Sequence, residues 1–362
     1  MAEKNKKYYF EIMRIFATAL VIFNHLPGYT LYQITSGPKQ WFYMFFTMIT
    51  RINVPLFFMI SGALLLEKTE DYKKVLEKRL PRYLVLMIVF AAISVSSYKI
   101  RALCQGNEYF ISIKSFILGL FSGNLDGTFH HWYLYSYLGF LLTLPLLQRI
   151  AKGINTQDFW VLVILHGIFS SIIPMLNILL SINNMSTVII SEHFFIPLAT
   201  AKSFFYPLVG YYLDKKVDVS KFKVKDILGM LIIGFLGVIL SCICTYWEGS
   251  TTGTYTQNYV QLFDYVTTII AFLIIKYIFT EIIRLSSTGK MQDVICYIGS
   301  LTLGIYLLEP IFKLFLWEWY HNTIECLVPR LIGSMIWLIG VMILCGTVTA
   351  ILKKLPVFRK II

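Results

Sequence analysis

Ten apolar runs of about twenty residues follow one another along this chain, and few architectures can house them. They are Phe10–Gly28, Trp41–Leu66, Leu80–Ile100, His131–Ile150, Asp158–Ile178, Phe194–Leu213, Ile227–Tyr246, Leu262–Ile283, Val294–Trp317 and Leu331–Leu352. At ~1.5 Å per residue, a run of that length carries a helix across a hydrocarbon layer ~30 Å thick. Only 14% of the residues are charged, against about 25% in soluble domains. The sequence therefore predicts an all-α membrane protein, a bundle of about ten transmembrane helices forming a single domain over residues 1–362. A further apolar piece, Ile113–Phe121, is too short to span and reads as an interfacial or re-entrant segment.

Lys and Arg set the expected orientation. With the N-terminus taken as cytoplasmic, the inner segments hold 22 basic residues and the outer loops five. Both termini are therefore expected in the cytoplasm, in a cell membrane. This asymmetry also accounts for the net charge of +12 as a topological signal plus attraction to anionic membrane lipid, so no nucleic acid is implied. The basic-then-apolar start lacks a small-residue cleavage site and contains Arg14, so it reads as an uncleaved first helix. The six cysteines show no metal spacing with His, and no metal site is expected. Cys242 and Cys244 read as apolar filler, while a pairing of Cys104 with Cys326 stays open.

Polar groups inside the runs carry the functional information, because an ionisable residue in a span is costly and faces a bundle interior or a wet cavity. Arg14 and His25 lie eleven residues apart in the first run. On a helix that places them within about 20° of each other and roughly 16 Å apart along the axis. Glu11 and Thr18 share the stripe. The second run is broken by Arg51, Asn53 and Pro55, with Arg51 expected roughly 15 Å from the outer boundary. Glu309 is expected at about the height of His25, roughly 22 Å from the inner face, where a carboxylate can orient an imidazole acting as a base. Pro310 beside it points to locally opened backbone. His130, His131, Trp132, Tyr133 and Tyr135 form either an interfacial aromatic belt or the mouth of a polar-substrate cavity. Lys202 is a further buried cation. Arg79 and Arg82, three apart at the membrane surface, are either orienting charge or a grip for phosphates.

These residues resemble the membrane-bound acyltransferase-3 family. The resemblance rests on Arg14 through His25 in the first span, Asn53-Val-Pro-Leu-Phe-Phe-Met-Ile-Ser-Gly in the second, and Arg79-Leu-Pro-Arg in the loop after it. It continues in His131-Trp-Tyr-Leu-Tyr through Leu144-Pro-Leu-Leu, and in Gly304-Ile-Tyr-Leu-Leu-Glu-Pro. The family implies transfer of an acyl group, most often acetyl, from cytoplasmic acyl-CoA to a hydroxyl of a cell-surface glycan or lipid-linked sugar. By motif position His25 is the essential histidine, Arg14 its partner, and Arg79 and Arg82 the pair meeting the CoA phosphates. Many members carry His where this chain has Glu309, so that position is either catalytic or structural.

The resulting expectation is an O-acyltransferase that uses acetyl-CoA as co-substrate and no metal. Its catalytic residues are His25, Arg14, Glu309 and Arg51, with Arg51 stabilising the oxyanion. Arg79, Arg82 and Arg14 serve the donor, and His131, Trp132, Tyr135 and Ser61 the acceptor. His25 acts either as a base or as a carrier of the acyl group. The rival from another class is a secondary transporter or exporter of a lipid-linked sugar, which would also place His, Glu and Arg in a midplane cavity.

Overall fold

The computed structural model describes residues 8–188, 190–191, 196–255, 257, 262–282 and 289–362. Among them there are helices and no strand. In chain order these are α1 (Tyr9–Asn24), α2 (Gly37–Thr50), α3 (Asn53–Leu65), α4 (Tyr72–Lys74), α5 (Leu80–Cys104), α6 (Ile113–Ser122), α7 (Trp132–Gly153), α8 (Thr156–Gly167), α9 (Ile173–Ile182), α10 (Pro197–Thr200), α11 (Lys202–Lys215), α12 (Val224–Thr252), α13 (Asp264–Tyr277), α14 (Gly289–Thr323), α15 (Arg330–Leu352) and α16 (Pro356–Ile361).

Each of the ten apolar runs overlaps a helix. Among the described residues seven helices are long and apolar enough to cross a membrane. The first run becomes α1 and a 3-10 turn, Pro27–Gln33, bent by 57°, which makes an eighth if the pair is one span. Two runs are not among these seven. Phe194–Leu213 is represented by α10 and the 14-residue α11, and Leu262–Ile283 by α13, which continues as a π-helix over Ile278–Ile282; Phe194, Phe195 and Ile283 lie outside the described residues. In α11 every residue from Phe205 to Asp214 is buried, so this helix is enclosed by the rest of its unit, as a helix apolar on all sides can be. The short piece after α5 is α6, ten residues with no buried side chain, started by the Ser112 side chain and stopped by Gly123 at φ +71°.

The chain divides into two compact units. The first comprises Met1–Thr69 and Leu146–Gly299. Its centre is the pairing of α3 with α11. A side chain at Gly62 would collide with the Pro207 backbone, and one at Gly210 with the Met59 backbone. Two glycines on facing helices thus let the backbones touch, the small-residue packing that serves where hydrophobic burial cannot drive helices together. Around this pair α12 packs on α2, α9 and α13, with Cys242 and Cys244 filling apolar clusters. Lys276 on α13 donates to the carbonyls of Leu213, Asp214 and Val217 at 2.9, 2.9 and 2.8 Å, closing the end of α11. Lys202 sits 3.5 Å from the Asp264 carboxylate, which also accepts from Tyr206 at 3.1 Å.

The second unit comprises Glu70–Pro145 and Ser300–Ile362. Ala91, Val95 and Leu125 form a core with Tyr109, Ile111 and Phe116 around it. A side chain at Gly304 on α14 would collide with Thr349 on α15, and the Tyr320 hydroxyl donates to the Gly333 carbonyl at 2.6 Å. Pro310 does not open α14, which runs unbroken from Gly289 to Thr323. Cys104 and Cys326 are exposed free thiols.

Candidate active site

The polar stripe of α1 is satisfied largely within its own helix. Arg14 Nη1 donates to both carboxylate oxygens of Glu11 at 2.8 and 3.0 Å, and Thr18 donates to the Arg14 carbonyl at 2.8 Å. Neutralised one turn away, the guanidinium is tolerable inside an apolar run. Gly299 lies against Glu11 where any side chain would collide with it. His25 sits at the end of this helix and not within it. Its N–H still reaches the Ile22 carbonyl at 3.0 Å, but Leu26 is extended, as a residue before proline tends to be, and Pro27 starts the 3-10 turn.

The second run breaks at Arg51 and Ile52, four residues ahead of Pro55. Proline has no N–H for the carbonyl four residues earlier, and its ring crowds that carbonyl; here the carbonyl is that of Arg51. The expected kink therefore falls on the arginine. The Arg51 guanidinium lies 5.2 Å from the centre of the Tyr29 ring, and its Nη2 donates to Gln257 at 3.1 Å. Its Nε is buried with no partner among the described residues.

Side chains of α2 bring this break to the first one. Gln40 donates to the Tyr32 carbonyl at 3.1 Å and Thr47 to the Tyr29 carbonyl at 2.6 Å. The Thr50 hydroxyl is shared between the Thr47 carbonyl at 2.7 Å and the Asn24 side-chain oxygen at 3.0 Å. Two irregular backbones, one carrying His25 and one carrying Arg51, are thereby joined by residues adjacent to each. Ser61 is remote from this cluster, roughly 15 Å further along the chain's helical path, and bonds back to the Phe57 carbonyl at 2.8 Å.

In the second unit Arg79 is held by a residue that sequence reasoning missed. Its Nε and Nη2 donate to the two oxygens of Glu70 at 2.6 and 2.7 Å, a fork-to-fork pair. Lys74 adds a contact at 3.1 Å, and the Glu70 side chain is 1% exposed. These hydrogen bonds, Arg79 foremost, pull the Glu70 carboxyl down to about 2. Nothing in the sequence marks Glu70 among the charges of its loop, because nine residues is not a helical spacing. Arg82 points elsewhere, its Nε and Nη2 lying 3.4 Å from the carbonyls of Ile361 and Ile362 beside α16.

His130 and His131 are both buried on the 3-10 turn that leads into α7. Their rings meet at 4.5 Å, and the Tyr306 hydroxyl donates to the His130 carbonyl. Glu309 is buried one turn further along α14. Neither ring nitrogen of His131 has a partner among the described residues. Trp132 is exposed, and the Tyr135 hydroxyl is committed to the Leu120 carbonyl of α6, so Tyr135 anchors that helix. Tyr306, unassigned from the sequence, stood within the Gly304-Ile-Tyr motif. His166, with Nδ1 2.6 Å from the Ala199 carbonyl and its ring stacked on Phe205, is a packing residue.

Of the expected site residues, the first unit thus holds His25, Arg14, Arg51 and Ser61, and draws His25 and Arg51 to adjoining breaks. The second holds Arg79, Arg82, His131, Trp132, Tyr135 and Glu309. The acyltransferase-3 family model, described as an acyltransferase domain, matches residues 7–353. No curated protein and no solved structure matches the chain.

Proposed function

Because this chain belongs to the acyltransferase-3 family and is a multi-pass membrane protein, we propose that it moves an acyl group, acetyl foremost, from acyl-CoA to a hydroxyl of a cell-surface glycan or lipid-linked sugar. The observation that carries this reading is the pair of adjoining helix breaks that present His25 and Arg51, bridged by Asn24 and Thr50. Irregular backbone at membrane depth is tolerated where it lines a cavity, and transfer of an acyl group to a hydroxyl calls for a general base and a group that stabilises the oxyanion, the roles His25 and Arg51 can fill.

In this mechanism His25 takes the proton of the acceptor hydroxyl as its oxygen attacks the thioester carbonyl. The Arg51 guanidinium, whose Nε–H is unpaired among the described residues, stabilises the tetrahedral oxyanion. The C–S bond then breaks, and the proton passes from His25 to the departing CoA thiolate. In the two-step variant the His25 ring carries the acyl group between donor and acceptor. Arg79 spends two of a guanidinium's five N–H donors on Glu70 and keeps the others for the CoA phosphates, with Arg82 and Arg14 as the remaining donor-side cations. His131 and Trp132 serve the acceptor; Ser61 and Tyr135, whose hydroxyls are spent on the Phe57 and Leu120 carbonyls, take no part in this role. The donor enters from the cytoplasm, where both termini lie, and the acceptor from the opposite face of the plasma membrane.

The test is acetyl-CoA turnover by the purified protein in nanodiscs, read as free thiol released with and without glycan acceptors. Wild type is expected to release thiol, and His25→Ala to release none while remaining in the membrane at the same level. Undiminished release by His25→Ala would overturn the assignment. Failure of the wild type to bind acetyl-CoA at all would favour a transporter.

A further inference from the structure

A groove of about 530 Å³ runs between α2, α12 and α13 in the first unit. Its walls include Phe45, Ile49, Leu228, Phe235 and Ile270, and the one polar side chain on it, Thr267, spends its hydroxyl on the Asp264 carbonyl at 3.0 Å. Gly234 gives the groove its depth: a Cβ there would already press on Ile270 at 3.2 Å. With no polar group to offer, these walls can hold only hydrocarbon. The groove lies on the open side of α12, where Leu231, Ile232 and Phe235 are about half exposed.

Its length and its end select the occupant. From Leu228 to Val238 the groove follows eleven residues of α12, a rise of ~15 Å, which is half of a hydrocarbon core ~30 Å thick. Lys225 stands one turn before Leu228 on the stripe that continues through Ile232 and Phe235. Lys225 and Lys223 are exposed and have no carboxylate partner among the described residues, the neighbouring Asp226 being bonded to the Lys223 backbone N–H at 2.9 Å. A slot one leaflet deep with ammonium groups at its rim matches an acyl tail surmounted by a phosphate.

We propose that this groove is a binding site for one anionic phospholipid of the surrounding bilayer, its tail against Gly234 and its phosphate at Lys225. The site is independent of acyl transfer, and its test reads binding alone. The full chain, purified and stripped of lipid in detergent, is titrated by native mass spectrometry with phosphatidylglycerol, phosphatidylcholine of the same tails, and an isoprenyl phosphate. The expected result is one phosphatidylglycerol per chain, bound at least tenfold more tightly than phosphatidylcholine. Lys225→Gln should erase that headgroup preference. Ile232→Trp, a change at an exposed wall residue, should weaken both phospholipids at least fivefold. Equal retention of the two headgroups, indifference to either substitution, or preferential binding of the isoprenyl phosphate would each overturn the proposal.

Discussion

The side chains of Thr50 and Asn24 meet at 3.0 Å, joining the residue before Arg51 to the residue before His25. Neither residue carries chemistry of its own in the proposed mechanism. Their contact fixes the spacing of two helix breaks whose positions proline had already set, at Leu26 before Pro27 and at Arg51 ahead of Pro55.

Thr50→Val removes this bond at nearly constant shape. Stability should fall by only about 1 kcal/mol, the net worth of one hydrogen bond. Turnover should fall by about tenfold or more, because small misplacements of reacting groups are costly. Thr50→Ser should recover both. Thiol release and a melting curve, measured side by side, separate the two effects; a loss of stability with full turnover would show that the contact is only a packing feature.

The ion pair of Glu70 with Arg79 predicts an acid response of definite sign. The carboxyl is held at about 2 in the fold, against an ordinary value of 4.5. Its contribution is therefore complete above the ordinary value and is lost as pH falls through 4.5 toward 2. The wild type should lose melting temperature through that window, whereas Glu70→Gln should start lower at neutral pH and show a shallower decline. Melting curves in detergent from pH 7 down to about pH 2 check this.

The glycine contact of α3 and α11 should tolerate nothing larger. Gly62→Leu and Gly210→Leu each force two backbones apart and should cost more than about 3 kcal/mol. Gly340→Leu, at a position with open space around it, is the control and should be nearly neutral. Yield of monodisperse protein and melting temperature are the readouts.

Lys276→Met should cost about 3 kcal/mol, since it strands carbonyls at the end of α11 that the ammonium now satisfies. Turnover per folded molecule should be unchanged. A variant as stable as wild type would mean that water replaces the ammonium there.

Local periodicity was enough to fix much of this protein. Apolar runs of bilayer length determined an all-helical membrane chain, and the charges inside them picked out Arg14, His25 and Arg51 as residues that lipid alone would not retain. Hydropathy counts apolar side chains without knowing what they face, so it could not foresee that α11 would be enclosed by protein. Tertiary structure alone decided which polar groups meet. Glu70 with Arg79, Tyr306 with His130 and Thr50 with Asn24 are separated by 9, 176 and 26 residues, and none of these spacings repeats with a helix. Such pairs exist because packing brings their backbones together and a buried polar atom must then find a partner, a condition no single segment carries.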